Sequence, residues 1–292
     1  MAETVYKDFK REEMEYQFNP RTTVTEYPQL AVEREKASED TRARLKHFRD
    51  VRYGDAPRML LDIFPAEQPG APVQIYIHGG YWRGGSKDAY SFIAEPFVEA
   101  GATMVLLEYD LCPQVTVPDI MRETREGIAW VYRNIAEYGG DPERIYLSGS
   151  SAGGHLTARA LSHRWEEDGL PEDIIKAAVA ITGVYDADPV FYVSSNEDIR
   201  LTPDTAREIS AMLHPPLDRT PFVVAVGGAE TRGWIGMSRD FFALCKERDL
   251  DCSYLEVPGT HHFSVSGQLG ERGSLMARTV LSQMGCLPET TS

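Results

Sequence analysis

The sequence predicts an α/β protein with a mostly parallel central sheet and helices on both faces. Three observations carry this. After residue 50, short β-rich runs alternate with helix-length segments. Several of those runs are continuously apolar rather than alternating, as in strands buried on both faces. At 292 residues the chain is long enough to bury such a sheet within one domain.

In chain order, residues 1–50 are charged and hold few apolar runs, so they read as a segment packed on a core domain of residues 51–292. A surface helix is expected over Glu33–Phe48. Met1–Lys10 has no apolar stretch of signal-peptide type, which sets the expectation of a cytoplasmic protein. The expected strands are Met59–Phe64, Val73–Ile77, Thr103–Leu107, Ile145–Ser148, Ala177–Ile181, Phe222–Val226 and Ser253–Val257. The clearest helix is Asp119–Glu137, with Ile120, Thr124, Ile128, Val131 and Ile135 on one face. Asp119 caps it after Pro118, and Gly139-Gly140 stops it. Residues 186–216 break the rhythm, with aromatics and prolines but no strand pattern. They form either a small cap over a site or a long surface connection.

Charge and composition narrow the function classes. A formal net charge of -15 repels phosphate backbones, so nucleic acid is not an expected partner. No apolar run of about 18 residues is present, so no membrane span is expected. Cys112, Cys245, Cys252 and Cys286 show neither zinc-ligand nor redox spacing and read as packing residues. No metal or organic cofactor is expected.

The chemistry concentrates in two glycine-rich loops. Gly149-Ser150-Ser151-Ala152-Gly153 fits the G-x-S-x-G nucleophile elbow, in which a serine sits on a tight, strained turn. Its context matches, with a predicted strand before it and a helical pattern after it. His78-Gly79-Gly80-Tyr81-Trp82 follows the apolar run Val73–Ile77. Backbone N–H groups there can hold the oxyanion of a tetrahedral intermediate. The expected donors are Gly80 and Tyr81, joined by Ala152 after the nucleophile. Together the two loops predict the α/β-hydrolase fold with Ser151 as the nucleophile.

The serine needs a base and an acid, and in this fold they follow it in the order acid, then histidine. His261 and His262 lie in a loop after the last predicted strand, and likeness to relatives of this fold, in which a histidine followed by Phe recurs at this position, prefers His262. Glu230, in the loop after Phe222–Val226, is the preferred acid. Asp240 falls inside a helical pattern and Asp218 precedes the strand.

These residues carry a family resemblance. His78 to Trp82, Gly149 to His155 and His262-Phe263 resemble the arylformamidases, or kynurenine formamidases, and their esterase relatives. Asn19-Pro20-Arg21, Tyr109 to Pro113 and Thr182 to Asp186 add to the likeness, which runs from about residue 16 to about residue 284. The resemblance implies hydrolysis of an N-formyl aromatic amine through an acyl-enzyme, in tryptophan catabolism, and it allows a homodimer. Two positions depart from the family pattern: its acid is usually aspartate where this chain has Glu230, and an asparagine often precedes the histidine where this chain has His261. Tyr81, Trp82 and Tyr185 are expected to wall an aromatic substrate site, against the alternative of plain core packing. A carboxylesterase for short acyl esters uses the same triad. A non-catalytic ligand-binding protein on the same fold is the third reading.

Overall fold

A computed structural model of the chain describes residues 3–217 and 220–287. Asp218, weighed above as an acid, lies outside the described residues. Among those residues eight strands form one sheet: β1 Phe48–Arg52, β2 Leu60–Phe64, β3 Ala71–Ile77, β4 Thr103–Leu107, β5 Gly140–Ser150, β6 Ile175–Ile181, β7 Phe222–Gly227 and β8 Cys252–Val257. Their spatial order is β8-β7-β6-β5-β3-β4-β2-β1. The β1–β2 and β2–β4 pairs are antiparallel and the rest are parallel.

The apolar runs end in two separate cores. Ile75 and Ile77 face one side of the sheet while Tyr76 faces the other, and Val105 and Leu107 oppose Met104 and Leu106 in the same way. Side chains alternate along a strand, so a run that is apolar at every position must be covered twice. The edge strand β1 was not among the expected strands. Its sequence Phe-Arg-Asp-Val-Arg is mostly exposed and has no apolar run, which suits an edge that must not recruit another chain.

Five longer helices accompany the sheet: α1 Tyr27–Arg44, α2 Val117–Asn134, α3 Ala152–Ala160, α4 Arg232–Glu247 and α5 Leu275–Gln283. α2 begins earlier than its apolar face suggests. Thr116 is the cap, and Asp119 is its reciprocal partner in a capping box. α1 starts before the expected Glu33 and stops at Arg44, where Leu45 turns extended. It buries only Ser38 and Thr41 fully. Polar contacts attach it instead: Arg42 donates to the Asp88 carbonyl at 2.6 Å and to Ser91 Oγ at 2.8 Å, and Arg44 meets Glu95 through both carboxylate oxygens.

Residues 186–216 hold only short helical pieces, Asp188–Tyr192, Asn196–Ile199 and Pro203–Ile209, with Val190, Ile199 and Ile209 buried against the main core. The four cysteines are free thiols, and three of them are buried. Among the described residues no helix is long and apolar enough to cross a membrane.

Candidate active site

Ser151 stands where β5 passes into α3, with φ 57° and ψ -118°. A side chain at positive φ is strained by about 1–3 kcal/mol and persists only where its surroundings enforce it. Two bonds hold the turn: the Ser151 N–H donates to the Ile181 carbonyl at the end of β6 at 2.8 Å, and the Ser151 carbonyl accepts from His155 N–H at 3.0 Å. Gly153 explains the second glycine of the elbow. A Cβ there would stand 2.0 Å from the Ile77 carbonyl oxygen, so no larger residue lets α3 approach β3 this closely.

The loop after β3 runs beside that turn. Gly80 has φ 130°, followed by Tyr81 at 53° and Trp82 at 56°. No other residue fits at Gly80, because an added Cβ would lie 1.9 Å from the Gly84 carbonyl oxygen. Among the described residues no protein acceptor takes the N–H groups of Gly80, Tyr81 or Ala152. Their neighbours are engaged: Arg83 N–H donates to the Gly80 carbonyl at 3.1 Å and Cys112 N–H to the Trp82 carbonyl at 2.8 Å.

A buried polar network fixes the start of this loop. His78 Nδ1 donates to the Gly79 carbonyl at 2.8 Å and Nε2 to Glu108 at 2.7 Å, while Tyr109 Oη donates to the His78 carbonyl at 2.8 Å. The His78 ring stacks on that of Tyr109, with centroids 4.3 Å apart. Glu108 also accepts from Arg58 at 2.8 Å and from the backbone of Lys87 and Tyr109. Burial pushes the Glu108 carboxyl up, but the His78 and Arg58 charges and these hydrogen bonds outweigh it and hold the group at about 2.

His262 follows β8. Its Nδ1 donates to Glu230 at 2.6 Å, and both side chains are almost wholly buried. The second Glu230 oxygen accepts the Gly227 N–H at 2.8 Å, which ties the carboxylate to the end of β7. With its proton committed to Glu230, the ring leaves Nε2 as the free lone pair. That nitrogen is buried and has no hydrogen-bond partner. Trp234 of α4 lies against the ring with centroids 4.6 Å apart. His261 turns away, its Nδ1 accepting from the Phe263 and Ser264 N–H groups. Asp240 pairs with Lys7 on the outside of α4.

Ser151 and His262 line one cavity of about 230 Å³, shared with Gly80, Tyr81, Tyr27 and Phe263. Two residues expected to wall it do not. Trp82 is fully buried, edge-on to His155 at 4.9 Å. Burial pushes His155 down to about 3, so the ring is neutral and its Nε2 donates to the Ile209 carbonyl at 2.7 Å. Tyr185 is also fully buried, stacked on Phe241 at 4.2 Å and donating to the Ala180 carbonyl at 3.0 Å. Both rings serve the core: their partners, His155 for Trp82 and Phe241 for Tyr185, lie in the interior and not along the cavity. Tyr81 lines the cavity, but its hydroxyl donates to the Phe18 carbonyl at 2.7 Å.

The remaining wall comes largely from the N-terminal segment: Asn19, Pro20, Arg21, Tyr27, Ala31 and Arg34. From residues 186–216 only Ser195 reaches it among the described residues. The cover over the site is therefore mostly N-terminal. Nothing in the periodicity of this weakly amphipathic segment indicates where it docks. In the sequence only the family likeness of Asn19-Pro20-Arg21 marks this segment.

Known proteins similar to this chain share its fold. Residues 74–250 match the model of a family described by its alpha/beta hydrolase fold. A kynurenine formamidase from Danio rerio is 29% identical over 96% of this chain and 98% of that protein. Esterase LipQ from Mycobacterium tuberculosis is 30% identical over 82% of this chain and 62% of that protein. Among solved structures, an esterase from Pyrobaculum calidifontis superposes with a TM-score of 0.70 at 17% identity, covering 94% of this chain and 95% of that one.

Proposed function

From the premise that this chain belongs to the α/β-hydrolase family and is a hydrolase of amide or ester bonds, we propose that it removes a small acyl group from an aromatic amide of the N-formylkynurenine type. One observation carries the reading: a strained serine shares a cavity with a histidine whose Nδ1 is committed to a buried carboxylate and whose Nε2 is free. Ser151 attacks the acyl carbonyl while His262 Nε2 takes the hydroxyl proton. Glu230 holds the tautomer and stabilises the imidazolium. The N–H groups of Gly80, Tyr81 and Ala152 receive the oxyanion, each donor lowering the barrier by about 3 kcal/mol. His262 returns the proton to the leaving amine, and water repeats the cycle on the acyl-enzyme. The formamidase likeness along nearly the full length of both chains supports a formyl group as the acyl part.

Hydrolysis of N-formylkynurenine, p-nitrophenyl acetate and p-nitrophenyl butyrate by the wild type and Ser151→Ala tests this. The expected result is the highest kcat/KM on the formamide, a steep fall from acetate to butyrate, and loss of all three activities in the variant. Fast ester cleavage with little formamide activity would leave a carboxylesterase. Undiminished turnover by Ser151→Ala would reject the nucleophile.

A further inference from the structure

The charge of the cavity wall is opposite to that of the chain. The chain has 45 acidic and 30 basic residues, yet Arg21, Arg34 and Arg83 line the cavity, and no aspartate or glutamate does among the described residues. Two of the three arginines are occupied. Arg83 pairs with Asp198 at 2.7 Å. Arg34 donates to the Phe263 carbonyl and to Ser266 Oγ, and lies over the Tyr90 ring. Arg21 is different: among the described residues no carboxylate, carbonyl or hydroxyl takes a bond from its guanidinium. It lies over the Tyr27 ring, 4.8 Å from the centroid. Tyr27 in turn packs on Phe263 with centroids 4.3 Å apart, and Phe263 follows His262. Among the described residues an unpaired cation thus stands at one end of a series of ring contacts, Arg21 on Tyr27, Tyr27 on Phe263 and Phe263 on His262.

We infer that Arg21 is a specificity-determining residue: it binds a carboxylate carried by the aromatic leaving group, whose ring lies along Tyr27 and Phe263. The guanidinium fork and the two carboxylate oxygens match in shape, and the charged bond is stronger than a neutral one. The cation–π contact with Tyr27 holds the guanidinium without using its donors. Because Arg21 is exposed, solvent and salt weaken the attraction, and the preference should fall as ionic strength rises.

The inference rests on Ser151 as the nucleophile, but its test does not require a formamide. The substrates are 4-acetoxybenzoate and its methyl ester, which share the scissile acetate and differ in the carboxylate charge. For the wild type, kcat/KM should favour the charged substrate. In Arg21→Gln the ratio of charged to neutral should fall about tenfold, chiefly through KM, and Arg21→Lys should restore part of it. Arg239→Gln, which removes a partner of Glu256 away from the cavity, should leave the ratio unchanged. Calorimetric titration with 4-hydroxybenzoate and methyl 4-hydroxybenzoate reads the same preference without turnover. An unchanged ratio in Arg21→Gln, or equal losses on both substrates, overturns the role of Arg21. Turnover that survives Ser151→Ala would instead overturn the nucleophile, a separate failure.

Discussion

Glu108→Gln should cost about 3 kcal/mol of stability at pH 7, and that cost should vanish in acid. Glu108 is 4% exposed and joins His78, Arg58 and the backbone of Lys87 and Tyr109. Its carboxyl moves from 4.5 to about 2 on folding. At about 1.4 kcal/mol per tenfold, that difference is worth about 3 kcal/mol. The folded group is held below its unfolded value, so the contribution is complete above about pH 5 and is lost as pH falls from 4.5 toward 2. By linkage about half remains near pH 3. Gln keeps the shape but not the charge, and it leaves His78, 1% exposed, without its carboxylate. Arg58 can turn to water, so its loss costs less. The assay is urea unfolding of wild type and Glu108→Gln at pH 7, 5, 4 and 3. The two stabilities should converge as the pH falls. A gap that stays constant down to pH 3, or one below about 1 kcal/mol at pH 7, would refute the reasoning. Because His78 begins the loop that carries Gly80, kcat should also fall in the variant.

Other substitutions probe the site from different sides. Gly79→Ala would set a Cβ 2.7 Å from the Ser150 carbonyl oxygen and 2.9 Å from Ser151 Cβ, and the backbone must move to relieve it. Its kcat should drop about a hundredfold, with stability reduced by about 1–3 kcal/mol; full activity in a stopped assay would contradict the packing of loop on elbow. Glu230→Gln should lower kcat by about 10³–10⁴ with little change in KM, because the amide cannot stabilise the imidazolium; a loss under tenfold would point to another acid. Trp82→Ala empties a fully buried site and should cost about 3–5 kcal/mol in thermal unfolding. A stable Trp82→Ala with a raised KM would instead return Trp82 to the substrate wall.

Much of the fold is visible in the sequence because its signals are local. A run such as Thr103–Leu107 is apolar at every position and is therefore a strand covered on both faces. The elbow serine is legible for the same reason: the glycines around it are demanded by atoms a few residues away, or one strand away, whatever the rest of the chain does. What sets β1 apart is its exposure. Edge strands need polar side chains, and polarity carries no period that marks a strand.

The amino-acid sequence alone determined the α/β sheet, the turn at Ser151 and the glycine loop at His78, since each depends on spacing along the chain. Only the tertiary structure decided which rings wall the cavity and what covers it. Trp82 and Tyr185 look the same in sequence whether they face substrate or core, and the choice falls to partners far away, His155 beside Trp82 and Phe241 beside Tyr185. The N-terminal cover is decided the same way. α1 has almost no apolar face and is held through Arg42 and Arg44 reaching residues some 50 positions on, while Phe18 ahead of it is buried in the core; partners this distant set Arg21, Tyr27 and Arg34 in the wall of the cavity that Ser151 lines.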